Sequence, residues 1–177
     1  MPSQSLADEV ASTLRYFDGH SDTLGLFAQP GFLGRAAQAL VAPFRTAGIT
    51  KVAGIEARGF VLATAAALEL GVGFIGVRKI GGVLAGEKEE QRTFPDWRGI
   101  EDVLRLQRHV VAPDDRVLVV DDWAETGAKA VAARALIELC GGRYGGLSLL
   151  VNQLPEDVRA TLEPVAFIVR AEDVAGE

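Results

Sequence analysis

Residues Val117–Val120 are four consecutive aliphatics that run directly into two carboxylates, Asp121 and Asp122. A short segment, Trp123-Ala124-Glu125-Thr126-Gly127, then leads into the alanine-rich stretch that begins Ala128-Lys129-Ala130. Adjacent carboxylates at the end of an apolar run repel one another and lose hydration, so something nearby must offset them. A strand end followed by a helix start would leave free backbone N–H groups over Thr126–Lys129, a ready cradle for a phosphate. Thr126 adds a hydroxyl and Lys129 a positive charge. Asp121 and Asp122 are suited to sugar hydroxyls or to Mg2+ held through water. A phosphate, a diol and a metal side by side describe a phosphorylated sugar.

The elements that must position these groups follow from the surrounding pattern. Lys51–Ile55 (KVAGI) is a β-run, EARGF a turn, Val61–Leu70 an alanine-rich helix and Val72–Val77 a second β-run. The unit recurs as strand Val117–Val120, turn DDWAETG, helix Ala128–Cys140 and strand Leu147–Val151, with Val165–Val169 as a last strand. Strand, turn, helix, strand, twice over, predicts parallel βαβ units, hence an α/β fold with a mostly parallel sheet flanked by helices. Ligands of such sheets lie at the carboxyl ends of the strands, where both turns fall. Upstream, Leu6–Phe17 reads as an amphipathic helix, Asp18–Pro30 as a loop, and Phe32–Ala47 as a helix that Pro43 interrupts. Gly81–Gly99 is polar and rich in both charge signs. It reads as a mobile hairpin or lid, with an ordinary solvated loop as the alternative.

Two glycine motifs fail on context. Gly71–Gly76 spells GVGFIG, but the dinucleotide fingerprint must follow a strand and open a helix, and here a helix ends and a strand begins. GGVLAGEK, Gly81–Lys88, places Glu87 where a phosphate-binding loop needs Lys.

The 177 residues suit one domain, 1–177. A net charge of -6 argues against binding to nucleic acid, which requires a basic face. The most apolar stretch, Phe60–Val77, is broken by Glu69 and three glycines, so no membrane partner is expected. A lone cysteine, Cys140, rules out an internal disulfide, fits a cytoplasmic setting, and reads as a small buried hydrophobe. The N-terminus lacks the basic and apolar regions of a signal peptide.

The segment Val117–Ala130 resembles the phosphoribosyl-pyrophosphate signature of the type I phosphoribosyltransferases. Over its length the chain is most similar to their adenine-using members, through VAGIEARGF (52–60), GVGFIGVRKIGG (71–82) and LRLQRHVVAPDDRVLVVDD (104–122). The resemblance implies a hood over residues 1–50, a core over 51–170 and a flexible lid over 80–99. It implies transfer of phosphoribose from phosphoribosyl pyrophosphate to a purine, adenine first, with release of pyrophosphate in purine salvage. Ala57, Arg58 and Gly59 inherit the grip on pyrophosphate, which Arg78 and Lys79 would neutralise. Asp121 and Asp122 inherit the ribose hydroxyls, with Mg2+ bridging ribose and pyrophosphate, and Ala124–Lys129 the 5′-phosphate. Relatives are usually homodimers.

Departures from the family pattern are equally informative. Adenine-using relatives carry a Glu-Tyr pair in the lid; Arg98-Gly99 stands there instead, with Asp96-Trp97 just upstream. Glu125 occupies a position that is small in those relatives and an Asp in hypoxanthine-guanine ones. Glu125 therefore either acts as the general acid/base on the purine or merely caps the helix. Trp123 either stacks on the base or packs in the core. His20 and Asp22 lie near the family's base-contacting positions, His109 reads as a surface histidine, and Glu89-Glu90 and Asp114-Asp115 as solvated pairs. The alternatives to adenine transfer are a 6-oxopurine or other heterocycle as acceptor, or a non-catalytic sensor of the donor.

Overall fold

Parallel pairing organises the chain around the two β-runs singled out above. The computed structural model describes residues 5–17, 20–96 and 98–174; Asp18 and Gly19 of the expected loop, and Trp97 of the lid, lie outside them. In chain order the elements are α1 (Leu6–Thr13), β1 (Tyr16–Phe17), β2 (His20–Ser21), α2 (Thr23–Phe27), α3 (Phe32–Val41), β3 (Lys51–Ile55), α4 (Arg58–Leu70) and β4 (Gly73–Lys79). There follow β5 (Lys88–Arg92), β6 (Val103–Gln107), β7 (Arg116–Ala124), α5 (Ala128–Leu139), β8 (Arg143–Asn152), α6 (Glu156–Thr161) and β9 (Val165–Arg170).

The main sheet has seven strands in the order β5-β6-β4-β3-β7-β8-β9. Strands β4, β3, β7, β8 and β9 are parallel, whereas β6 runs antiparallel to β4 and β5 antiparallel to β6. From β3 the chain crosses through α4 to β4 on one side, while β7 lies on the other side of β3. The loops leaving β3 and β7 therefore diverge, and the crevice between them is where open α/β sheets bind ligands.

Each face of the sheet carries its own core. Leu118 and Val120 of β7 pack with Leu40 and Phe32 of α3 and Leu62 and Ala66 of α4. Val117 and Val119 pack with Leu136 and Ile137 of α5 and Leu104 and Leu106 of β6. This alternation along one strand is the period of two that a sheet covered on both faces imposes. Among the described residues no helix is long and apolar enough to cross a membrane.

Several boundaries differ from the sequence reading. Helix α1 ends at Thr13, and the expected loop holds β2 and α2, the latter capped by Asp22, whose Oδ1 accepts the Gly25 N–H at 2.9 Å. Helix α4 begins at Arg58 instead of Val61. Strand β7 continues through both aspartates to Ala124, so the turn is only Glu125–Gly127. The 80–99 segment contributes Lys88–Arg92 as the edge strand β5, whose charges belong on an edge that must not recruit another chain. Cys140 packs, half-buried, against the second core, and His109 is exposed.

One charge assignment is corrected outright. Asp115 is not solvated but buried. Its Oδ2 lies 2.6 Å from Lys51 Nζ and accepts the Ala112 N–H at 2.7 Å, while Oδ1 accepts the Thr50 hydroxyl at 2.8 Å. Burial alone would raise the Asp115 carboxyl, but Lys51, Ala112 and Thr50 together hold it below the ordinary value. A depressed folded-state pKa means that this contribution is present at neutral pH and is lost as pH falls through the folded value. We expect Asp115→Ala to cost on the order of 2 kcal/mol in urea denaturation at pH 7, because it leaves the Lys51 ammonium with the Val110 carbonyl but no counter-charge and frees the Ala112 N–H and the Thr50 hydroxyl. The gap between variant and wild type should narrow as the pH is taken below about 4.

Candidate functional site

The crevice at the carboxyl ends of β3 and β7 opens into a cavity of about 250 Å³. Its floor is the end of β7 and the start of α5, with Asp121, Trp123 and Ala124 through Ala130 all lining it. Tyr16, His20 and Ser21 line it from the N-terminal segment, and Thr93, Asp96, Arg98, Ile100 and Asp102 from the segment between β5 and β6. Arg58 reaches it from the start of α4.

The turn after β7 has the geometry expected of a phosphate cradle. Gly127 adopts φ +78°, which glycine tolerates and L side chains rarely do, and it opens α5 with no side-chain cap. A Cβ there would also stand 2.6 Å from Val158 Cγ1 and 2.9 Å from Leu154 Cδ2, so glycine is required on both grounds. The Ala128 N–H faces Thr126 Oγ1 at 3.4 Å, and Lys129 lines the same cavity. Backbone N–H groups at a helix start, a hydroxyl and an ammonium form an anion site.

The two aspartates sit differently. Asp122 is 5% exposed; its Oδ2 lies 2.7 Å from Arg58 Nε and accepts the hydroxyl of fully buried Thr23 at 2.8 Å. It is not among the residues lining the cavity, whereas Asp121 is. Asp121 Oδ1 accepts the Asp122 N–H at 3.0 Å and packs so close to Gly59 that a Cβ on that glycine would lie 2.4 Å from it. Burial first, and repulsion from Asp122 second, push the Asp121 carboxyl well above the ordinary value. Lys129 and the Asp122 N–H offset this cost only in part, and among the described residues no guanidinium pairs with Asp121 as Arg58 does with Asp122, so a cation or a diol would fit beside it.

Glu125 lines the cavity. Burial raises its carboxyl and Asp96 raises it further, against the opposing pull of Lys129, Arg98 and His20. Asp96 itself is held at about 2: the Arg98 guanidinium lies 2.7 Å from its Oδ2, and the Arg98 and Ile100 N–H groups donate to its Oδ1. Asp96 is thus an organiser of its loop and stays ionised, while Glu125, like Asp121, is a cavity carboxyl raised above its ordinary value. Trp123 presents one surface to the cavity, meets Tyr16 edge-on at 5.9 Å and 85°, and donates its indole N–H to Gln153 Oε1 at 2.9 Å.

The remaining residues singled out from sequence are more scattered. Arg58 donates through Nη1 to the Ser21 carbonyl at 2.8 Å besides pairing with Asp122. Arg78 pairs with Glu56, Nη2 to Oε1 at 3.0 Å, and donates to the Val83 carbonyl; Glu56 Oε2 also accepts the Lys79 N–H. The Arg78 guanidinium keeps the Glu56 carboxyl below its ordinary value. Neither Arg78 nor Lys79 lines the cavity, but Lys79 Nζ lies 3.5 Å from Asp102 Oδ2, and Lys129 Nζ lies 3.8 Å from the same oxygen. The Glu56–Ala57 peptide bond is cis. Sequence reasoning missed Thr23, Glu56 and Asp102. Glu56 stands inside the EARGF motif and could have been found there; Thr23 and Asp102 carry no local signal.

No family model matches the chain. Curated relatives do, these two among them. The adenine phosphoribosyltransferase of Erwinia tasmaniensis is 39% identical over 134 residues, 74% of this chain and 70% of the relative. That of Acidothermus cellulolyticus is 35% identical over 162 residues, 86% of this chain and 88% of the relative. Among solved structures, the Giardia lamblia enzyme complexed with 9-deazaadenine superposes with a TM-score of 0.84 at 26% identity, over 95% of this chain and 98% of that one. The Saccharomyces cerevisiae enzyme, complexed with adenine and an imino-altritol bisphosphate, gives 0.76 at 29% identity over 92% and 98%. A strand carrying paired acids near its end, a glycine turn opening a helix and this extent of similarity lead to one assignment: the chain belongs to the adenine phosphoribosyltransferase family.

Proposed function

We propose that this protein transfers the 5-phosphoribosyl group from phosphoribosyl pyrophosphate to adenine, forming AMP and releasing pyrophosphate, as a step of purine salvage. The observation that carries the reading is the common cavity: Asp121, Trp123, Glu125 and the Thr126–Lys129 helix start all face one space. The relatives' complexes with adenine and an adenine analogue are in accord with it.

In this reading the 5′-phosphate sits on the N–H groups of the Glu125–Lys129 turn, with Thr126 and Lys129 beside it. Asp121 takes the ribose hydroxyls and would help to hold Mg2+, together with oxygens of the donor. Among the described residues no group of three His, Cys, Asp or Glu side chains could hold the metal alone. Bound Mg2+ would supply positive charge to the departing pyrophosphate. Arg78 and Lys79, at the end of β4, would serve the same anion from the side of the Ala57–Gly59 turn if they exchanged their present carboxylate partners for it. Positive charge builds on the ribose carbon as pyrophosphate leaves, so the task of the protein is positioning and electrostatic support.

Adenine must surrender a ring N–H proton when the new bond forms. Glu125, raised above the ordinary carboxylate range and open to the cavity, is the residue we assign as its acceptor. Trp123 supplies a flat apolar surface for the base. The exposed apolar side chains Phe17, Leu24, Ile80 and Val83 support the expected homodimer, and a cytoplasmic location suits the single free thiol.

The direct test is pyrophosphate release from phosphoribosyl pyrophosphate with Mg2+ against adenine, hypoxanthine, guanine, xanthine and orotate. Turnover with adenine is expected; turnover with an oxopurine alone, or with no base, would overturn the assignment. Glu125→Gln should lower kcat by about 10²- to 10⁴-fold while leaving the KM for donor within about twofold. A general base works only when deprotonated, so wild-type kcat should fall as pH drops through the raised Glu125 value, and the variant should lose that limb. Gly127→Ala should raise the donor KM at least about tenfold, because the added methyl forces the phosphate turn off its φ of +78°.

A further inference from the structure

Two donors from distant parts of the chain converge on one oxygen. Asp122 Oδ2 receives the Thr23 hydroxyl at 2.8 Å and lies 2.7 Å from Arg58 Nε. Arg58 extends the cluster to the Ser21 carbonyl at 2.8 Å, so the β2–α2 junction is attached to the core at both Ser21 and Thr23. Between them, Asp22 is committed to capping α2. His20 and Ser21, which this double attachment fixes in place, line the cavity; Thr23 does not, and is wholly buried.

We infer that Thr23 is a positioning residue for the acceptor base, acting through Asp122 to hold the His20–Ser21 wall of the cavity in register with Trp123. Asp122 is the physical link: its neighbour Asp121 borders the donor half of the cavity, while its own carboxylate anchors the wall opposite. A hydroxyl bonded to a buried carboxylate is stronger than a neutral hydrogen bond and cannot be replaced by water in a site with no solvent exposure. The β1–β2 pair has only two residues per strand, too little ladder to hold that wall unaided. The inference rests on the adenine reading for its kinetic consequence but not for its structural one.

The test is Thr23→Val, nearly isosteric and lacking only the hydroxyl, with Thr23→Ser as the rescue and Thr23→Ala as a second truncation. Two readouts are taken on the full chain: KM for adenine and for donor, and amide exchange over residues 20–27. We expect both truncations to raise the adenine KM roughly tenfold, to leave the donor KM within about twofold, and to speed exchange over 20–27, with Thr23→Ser restoring all three. Unchanged exchange, or a donor KM that rises as far as that of adenine, would overturn the inference. A wild-type protein that does not turn adenine over would overturn the proposed function instead, and exchange over 20–27 would still decide the role of Thr23.

Discussion

Two carboxylates, side by side at the end of a buried strand, set the terms for the rest of this molecule. Their repulsion and desolvation cannot both be met by water, so the fold separates them. Asp122 is given a guanidinium and a hydroxyl, and in taking them it fixes where α4 must begin and where the β2–α2 junction must sit. Asp121 is given neither. It remains at the cavity with its carboxyl pushed upward, next to a glycine that leaves it just enough room. A pair of like charges has thus become one carboxylate tied into the core and one that borders the cavity. That division suits the proposed site for a sugar diol and a divalent cation.

The wall of the cavity between β5 and β6 shows the same economy with charge. Asp96 is neutralised within its own loop by Arg98 and two backbone N–H groups, so it organises the approach without competing for protons. Asp102 lies between Lys79 and Lys129, two ammonium groups that would otherwise repel one another. In the proposed function, arriving phosphates would take over from Asp102 at Lys79 and Lys129 and from Glu56 at Arg78, so the cost of cationic preorganisation is met in advance. Glu125 is the exception, a carboxyl raised by burial and left facing the cavity.

Much of this was legible in the chain before any coordinates. The recurrence of aliphatic run, small turn and alanine-rich helix identified β3–α4 and β7–α5, because buried parallel strands must be near-continuously apolar. The glycine turn that opens α5 was readable from Thr126-Gly127, and its service to a phosphate belongs to the proposed function. What stayed hidden was long-range. Thr23 and Asp122 are 99 residues apart, and nothing near either one announces the other. Asp115 read as solvated for the same reason: its cation, Lys51, belongs to another strand. Strand β5 was hidden because KEEQR is loop-like in composition, and only its place on a sheet edge makes those charges acceptable. The aspartates were placed in a turn because charge was taken to end the strand, whereas Arg58 and Thr23 allow β7 to carry them.

The claim at the centre of this account is that Asp121 is the acid left free for the donor. The measurement that tests it most directly is calorimetric titration of phosphoribosyl pyrophosphate, with Mg2+, into wild-type protein and into Asp121→Asn. The account predicts saturable binding to the wild type, and affinity at least about tenfold weaker in the variant, whose amide keeps the shape but loses the charge. Equal affinity in the two proteins, or no binding to either, would contradict it.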